Sequence, residues 1–443
     1  MTQQNEPATL ARRIGLFSLI VYGVGDMIGS GIYGTIGVAA GAMGNAVWLA
    51  FLISMFAAML TGLSYASLGS RYPKAGGASY VMQRAFKRPF LSYVVGLAVA
   101  ASGLTSMAAA ANVFASTLIP VFPEVPVKGI LIGFVVLLAV VNLVGIKESM
   151  RMNLICTAVE VGGLIFIIIV GAKYWGNVDY LEVPDGASLT APLLLGGAVL
   201  TFYSFVGFED MINVSEEVKN PERNMPKGIL YALLIATVLY MAISITAVSV
   251  VPYTDLANPE KGAPLVQLTG IASPWLPGWV FGAITLFAVA NTALLNYIMS
   301  SRMLYGMSNQ KLLPDTFGKV HVRFRTPYMA ILFLGGVVLI LALIGNIAQL
   351  ASATSLLLLA CFCLVNAALV ILQRREGEPP GRLEIPAFIP VLGFLVCGGL
   401  IFARVTAPNA EPRAPFIALG LVVLISIVYY FMRPAEVLKT MGK

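Results

Sequence analysis

Gly25-Asp26-Met27-Ile28-Gly29-Ser30-Gly31-Ile32-Tyr33 sits in the middle of the first long apolar run of this chain. A helix crossing a bilayer gains nothing from Gly-Ser-Gly and a carboxylate at mid-depth. Each Gly costs about 1 kcal/mol relative to Ala in a helix interior, and backbone groups freed by a break cannot face lipid. Irregular backbone at that depth persists only where protein or a water-filled cavity surrounds it, the arrangement many secondary carriers use to build a site. The stretch therefore predicts an interrupted first span with a binding site beside the interruption. The competing reading of Gly29 and Gly31 is close helix packing, which leaves the adjacent Ser30 and Asp26 unexplained.

Composition sets the class around that stretch. Of 443 residues, 58% are hydrophobic and 11% charged, where a soluble domain carries about 25% charged residues. Most of the surface must face lipid, so the expected fold is an all-α membrane protein forming one polytopic transmembrane domain over 1–443. Runs of about 20 apolar residues mark spans. They fall at 14–39, 45–70, 90–119, 127–145, 151–175, 191–215, 227–251, 278–302, 327–346, 348–373, 386–405 and 412–432, twelve in all. The weakest division is between the ninth and tenth, where Gly345-Asn346 is the main turn signal. The first run has spanning length and no small-residue cleavage site, so it reads as retained. Cys156, Cys361, Cys363 and Cys397 lie in apolar runs without metal-ligand spacing and read as small core residues. No cofactor and no metal site is implied. His321, the single histidine, lies in a basic loop, which excludes histidine chemistry within the membrane.

Charge asymmetry predicts orientation. With both termini cytoplasmic, Lys128, Lys173, Lys261, Arg404 and Arg413 fall outside, and the other 23 of the 28 lysines and arginines fall inside, as the positive-inside rule requires. The net charge of +7 is then a topology signal and implies no nucleic-acid partner. A second interruption is expected in the sixth span, at Ser204-Phe205-Val206-Gly207-Phe208-Glu209-Asp210. Five spans precede it, and an odd number reverses direction. The pattern predicts a 5+5 inverted repeat (14–175 and 191–373) with discontinuous helices 1 and 6, followed by two additional helices over 386–432. Paired breaks of this kind point to a midplane site.

A helix restarting after Gly31 offers free N–H groups that suit a carboxylate. The half-helix ending near Tyr203 offers carbonyls that suit an ammonium. A ligand carrying both, an α-amino acid, fits between them. Four acids also lie at membrane depth: Asp26, Glu160, Glu209 and Asp210. Each costs about 2.5–3.5 kcal/mol at a helix centre, and no Lys or Arg lies at comparable depth, since Arg302 falls at the cytoplasmic end of span 8. Protons, a cation or a cationic ligand group must neutralise them. Asp26 shares a small polar face with Gly23 and Ser30, and Glu160 continues a stripe of Asn153, Cys156, Thr157 and Gly163. A hydrogen-bonded structural carboxyl is the plainer alternative for each acid.

Four motifs together resemble the amino acid–polyamine–organocation (APC) superfamily over nearly the whole chain. They are Ile28-Gly29-Ser30-Gly31-Ile32-Tyr33, Tyr72-Pro73-Lys74-Ala75-Gly76-Gly77-Ala78-Ser79-Tyr80, Phe202 to Glu209 running on to Glu216-Glu217-Val218-Lys219-Asn220-Pro221, and Ser301-Arg302-Met303-Leu304-Tyr305-Gly306-Met307 with Leu313-Pro314. The resemblance implies alternating access around breaks in helices 1 and 6. It implies substrate carboxylate at Gly29, Ser30 and Gly31, and substrate amine at the backbone near Ile28 and Tyr203, Ser204 and Phe205. An aromatic, Tyr203 or Phe202, closes the site from outside. Some proton-coupled members carry a helix 5 lysine where this chain has Glu160, and helix 1 there usually has a neutral residue where this chain has Asp26, whereas Glu209 matches a position at which other members have an acid. The coupling candidates are thus Glu160, Asp26 and Glu209, with H+ or Na+ as the ion. The expected activity is import of an amino acid across the cytoplasmic membrane by symport. The alternative is a cationic amine or polyamine importer or exchanger. No nucleophile–base set suggests an enzyme, and no pore signature suggests a channel.

Overall fold

The computed structural model describes residues 10–118, 124–184, 188–258, 263–344, 347–406 and 414–432. Among these residues the regular structure is helical, with no strand and one isolated bridge between Ile14 and Val218. The helices are α1 (Leu16–Met43), α2 (Val47–Arg71), α3 (Gly77–Phe86), α4 (Pro89–Leu118), α5 (Val127–Val144), α6 (Ile146–Gly171), α7 (Ala191–Phe202), α8 (Pro221–Val250), α9 (Tyr253–Leu256), α10 (Pro264–Ala272), α11 (Trp279–Asn309), α12 (Tyr328–Ile344), α13 (Ile347–Arg374), α14 (Phe388–Thr406) and α15 (Ala414–Met432). Nine helical stretches among the described residues are long and apolar enough to cross a membrane, and Tyr328–Leu343 and Phe388–Ala403 are shorter apolar helices. The turn expected at Gly345-Asn346 lies outside the described residues.

Local chemistry sets many of the ends. Proline occupies the first turn of α7, α8 and α10, where its missing N–H costs no hydrogen bond. Along α5, Ile132, Val136, Leu137 and Val140 are exposed while Leu131, Phe134, Val135 and Leu138 are buried. An uninterrupted apolar stripe on the outer face of a helix marks a surface that meets lipid. The long apolar runs of the sequence therefore do what their composition requires: one face packs and the other meets hydrocarbon.

At the centre, α1 packs against α6, α8, α11 and the sixth span. Here one expectation is corrected. The first span is not interrupted: α1 runs unbroken through Gly29-Ser30-Gly31. The glycines serve close packing instead. A Cβ on Gly25 would overlap the Thr157 hydroxyl, one on Gly29 would overlap the Thr292 hydroxyl, and one on Gly31 would lie 2.9 Å from Ser204 Cα. Approach this close keeps the helix bonded to itself in surroundings where an unmet backbone group costs several kcal/mol. The sixth span is broken as expected, α7 giving way to 3-10 turns at Tyr203–Phe205 and Phe208–Glu217.

A polar belt closes the end of the bundle that carries the α2–α3 turn. Glu378, between α13 and α14, accepts from Tyr72 Oη at 2.7 Å, Arg84 Nε at 2.9 Å and Arg375 Nη1 at 3.5 Å, and Arg71 pairs with Glu384. Burial pushes the Glu378 carboxyl up, but the hydrogen bonds from Tyr72 and Arg84 and the charges of Arg84 and Arg375 outweigh it and hold the group below its usual range. The Arg84 guanidinium is raised by its bond to Glu378. Burial, with Glu378 beside it, pushes the Tyr72 phenol up to about 12.

Candidate functional site

The site is built where the broken sixth span meets α1. After Phe205 the chain turns extended at Val206, then takes φ +130°, ψ −26° at Gly207. L side chains rarely adopt that conformation. A Cβ at Gly207 would also lie 3.0 Å from the Asp26 carbonyl carbon and from the Met27 nitrogen. Glycine is required twice, for the turn and for contact with α1. The freed groups are satisfied locally: Val206 N–H donates to Tyr203 O at 3.1 Å, Asp210 N–H to Gly207 O at 3.2 Å, and Gly207 N–H to Glu209 Oε2 at 2.8 Å.

The two elements are further joined from α8. Tyr240 Oη lies 2.6 Å from Met27 O and 2.7 Å from Ser204 O. One phenolic proton serves two carbonyls there, so the hydroxyl bridges α1 and the break. Ser204 Oγ also meets Thr35 Oγ1 at 2.7 Å.

Beside this junction lies a cavity of about 50 Å³ lined by Asp26, Gly31, Tyr203, Glu209 and Asp210, with Ser102 and Ser106 from α4 and Thr292 and Asn296 from α11. It has room for a few waters, well below the roughly 300–1,000 Å³ of drug-sized ligand sites. Asp26, Glu209 and Asp210 line it together. Three carboxyls thus face one small space, and no lysine or arginine lines it.

The expected residues divide among three places. Asp26, Gly31, Tyr203 and Glu209 converge on the cavity. Ser204 touches α1 behind it, and Ile28 is fully buried within α1. Gly29 faces Thr292 of α11. Phe202 packs edge-to-face on Phe362 of α13 at 6.3 Å, and Phe205 on Tyr240 at 5.1 Å. The aromatic that lines the cavity is therefore Tyr203. The Ser30 side chain lies outside the described residues. Glu160 sits apart, on the face of α6 that meets α1 and α11. It is fully buried and neither oxygen has a hydrogen-bond partner; Asn291 approaches it outside hydrogen-bond geometry. Next to it Asn291 Nδ2 donates to Thr157 Oγ1 at 3.0 Å, and Thr157 Oγ1 to Asn153 Oδ1 at 3.1 Å.

Several residues at the site were not anticipated. Ser102 with Ser106 on α4 and Thr292 with Asn296 on α11 are spaced i,i+4, which puts each pair on one helix face, a signal present in the sequence. Arg302, expected at the cytoplasmic end of span 8, lies within α11 and is wholly buried. Its Nε and Nη2 donate to Glu217 at 3.1 and 3.3 Å, and its Nη1 to Asn142 Oδ1 at 2.7 Å and Ser301 Oγ at 2.9 Å. Glu217 ends the sixth span. Its carbonyl accepts from Arg13 and Ile14 N–H at 2.8 and 2.9 Å, and Lys219 N–H donates back to Ile14 O at 2.8 Å.

Comparison with known proteins agrees with this architecture. The amino acid permease family matches residues 14–432. Among similar proteins, the branched-chain amino acid permease BcaP of Bacillus subtilis (strain 168) is 29% identical over 423 residues, covering 89% of this chain and 88% of that one. The methylthioribose transporter of the same organism is 29% identical over 434 residues, covering 92% and 91%. The vacuolar cationic amino acid transporter 4 of Arabidopsis thaliana is 30% identical over 397 residues, covering 84% and 65%. These relatives are transporters, not enzymes, and together with the apolar helices they make this chain an integral membrane protein of the amino acid permease family, within the APC superfamily.

Proposed function

We propose that the chain is a secondary active carrier that imports an amino acid across the cytoplasmic membrane by alternating access, in symport with H+, its N- and C-termini cytoplasmic. The observation that carries this reading is the junction itself. A true break at Val206-Gly207 is pressed onto the glycine-rich stretch of α1 beside a small polar cavity. In this reading Ile28, Gly29, Ser30 and Gly31 present their backbone to substrate carboxylate once this helically weak turn opens. Tyr203 and Ser204 receive the amine, and Phe202 and Phe205 wall the break from behind.

A twelve-span 5+5 inverted repeat with two added helices is supported by pairings across the halves. Under that scheme α1 corresponds to the sixth span, α2 to α8, α4 to α11 and α5 to α12, and each pair is in contact. A two-fold axis between the halves brings equivalents together in this way.

A second reading is favoured by the three carboxyls facing the cavity without a basic partner. They suit import or exchange of a cationic amine. Radiolabelled uptake into proteoliposomes, across the amino acids and several polyamines, separates the two. The first reading expects saturable, trans-stimulated amino acid uptake that rises with an inward pH gradient. Competition by putrescine with none by amino acids moves the function to the second. Uptake driven by Na+ and indifferent to pH replaces H+ with Na+.

A further inference from the structure

We propose that the corner of the bundle formed by the α5–α6 turn and the segment leading into α12 is a docking site for the phosphate headgroup of an anionic phospholipid. α5 and α12 lie side by side, and their shared end is pinned. Thr326, wholly buried, donates from Oγ1 to Leu143 O at 2.9 Å, and a Cβ on Gly145 would lie 3.5 Å from Phe324 O. The segment before α12 is an ordered turn. His321 N–H donates to Thr326 O at 2.9 Å and Arg325 N–H to His321 O at 2.8 Å, while His321 Nδ1 accepts from the N–H groups of Arg323 and Phe324 at 3.2 and 3.3 Å. The turn holds an apolar tip outward, with Val322 79% exposed and Phe324 37% exposed. Such side chains, fixed at the end of a span, suit the interfacial zone of a bilayer.

Cations surround that tip. On α6 one exposed face runs from Lys147 and Arg151 through Ile155 and Ile165 to Ile169, a lipid-facing stripe that ends in two positive charges. The α12 side repeats the pattern: exposed Lys319 and Arg323 precede the exposed Leu332, Phe333 and Ile340. Long basic side chains at the end of an apolar stripe place their charge at headgroup level. Among the described residues, Lys147, Arg151, Lys319 and Arg323 make no ion pair. Arg323 rests over the Phe324 ring, 5.7 Å from its centroid, and Glu148, half-buried in the first turn of α6, is the carboxylate beside them. Elsewhere at this end Arg71 is matched by Glu384, and Arg84 and Arg375 by Glu378. The positive-inside rule explains on which side of a membrane cations lie, but not why these are left unmatched around an apolar tip. A phosphate headgroup supplies the missing charge while its acyl chains follow the stripes of α6 and α12. Each Lys or Arg near an anionic lipid surface strengthens binding about fivefold.

The test titrates the full-length protein in detergent with dioleoylphosphatidylglycerol and, separately, with dioleoylphosphatidylcholine, and counts retained lipids by native mass spectrometry. The wild type should hold the anionic lipid at least about tenfold more tightly, and raising the salt should erode that preference. R151Q/R323Q removes one charge from each side of the corner and should weaken phosphatidylglycerol about 25-fold, with phosphatidylcholine unchanged. R151K/R323K keeps both charges and should bind as the wild type does, which tells loss of charge from a defect in folding. R88Q removes an exposed cation at the same end of the bundle but beside α15, where Phe90 packs on Tyr429 at 5.3 Å, and should change nothing. Equal retention of the two lipids by the wild type, wild-type affinity in R151Q/R323Q, or an equal loss in R88Q overturns the proposal. So does displacement of the lipid by free sn-glycerol 3-phosphate, which would make the corner a site for soluble anions. No transport enters the measurement, so its outcome does not move with the identity of the substrate or the coupling ion.

Discussion

Replacing Arg302 by Met removes a charge from a site that water does not reach. Both partners of the Arg302–Glu217 pair are fully buried. R302M approximately preserves volume but leaves Glu217 uncompensated and takes the donor from Asn142 Oδ1. Breaking a buried pair by removing one partner costs about 3–5 kcal/mol, and the lost bond to Asn142 adds about 1 kcal/mol. E217Q/R302M removes both charges, and a neutral pair in such a site is often as stable as the ionic one. Most of the loss should therefore be recovered in the double variant. Unfolding measured by steric trapping in bicelles gives the three free energies directly. A cost for R302M below about 1 kcal/mol, or a double variant less stable than R302M, would refute the view that Glu217 depends on this one cation.

Three further outcomes follow from described contacts. G207A must adopt φ +130° and place a Cβ against the α1 backbone; strain of this kind costs about 1–3 kcal/mol, and substrate binding by scintillation proximity should weaken at least about tenfold (1.4 kcal/mol). G29L drives a side chain into Thr292 and should abolish counterflow in protein that still purifies as a monodisperse peak; wild-type affinity would separate this contact from the site. E378Q should cost about 0.5–1 kcal/mol at neutral pH, given that Arg84 is 46% exposed. Because the Glu378 carboxyl is held low, its contribution is full above the unfolded value of about 4.3 and fades as pH falls through the folded one. Thermal unfolding of wild type and E378Q should converge in acid, and a gap that widens there contradicts the assignment.

The spans were legible because a run such as 127–145 can satisfy its backbone in lipid only as a helix, and Val127–Val144 forms one. The break at Gly207 was legible for a similar reason, since Gly between aromatic residues and two acids has no stable place in a spanning helix. The α1 glycines were misread because a packing glycine and a breaking glycine are the same letter. What separates them are Thr157, Thr292 and Ser204, brought in from distant parts of the chain. Phe202 and Tyr203 are neighbours, yet one residue turns a helix by about 100°, and only Tyr203 lines the cavity. Asp26 and Asp210 were legible as costly residues, but their meeting in one cavity was not: it depends on how the broken span docks, which no local pattern encodes.

The bridge between Ile14 and Val218 has a mechanical consequence. It splices the strand of chain leading into α1 to the strand leaving the sixth span, and Glu217 anchors the same splice to α11. Two segments that could swing separately share one pivot, so their inner ends have fewer independent degrees of freedom than their number suggests. A displacement of either is delivered to the other as by a common crank.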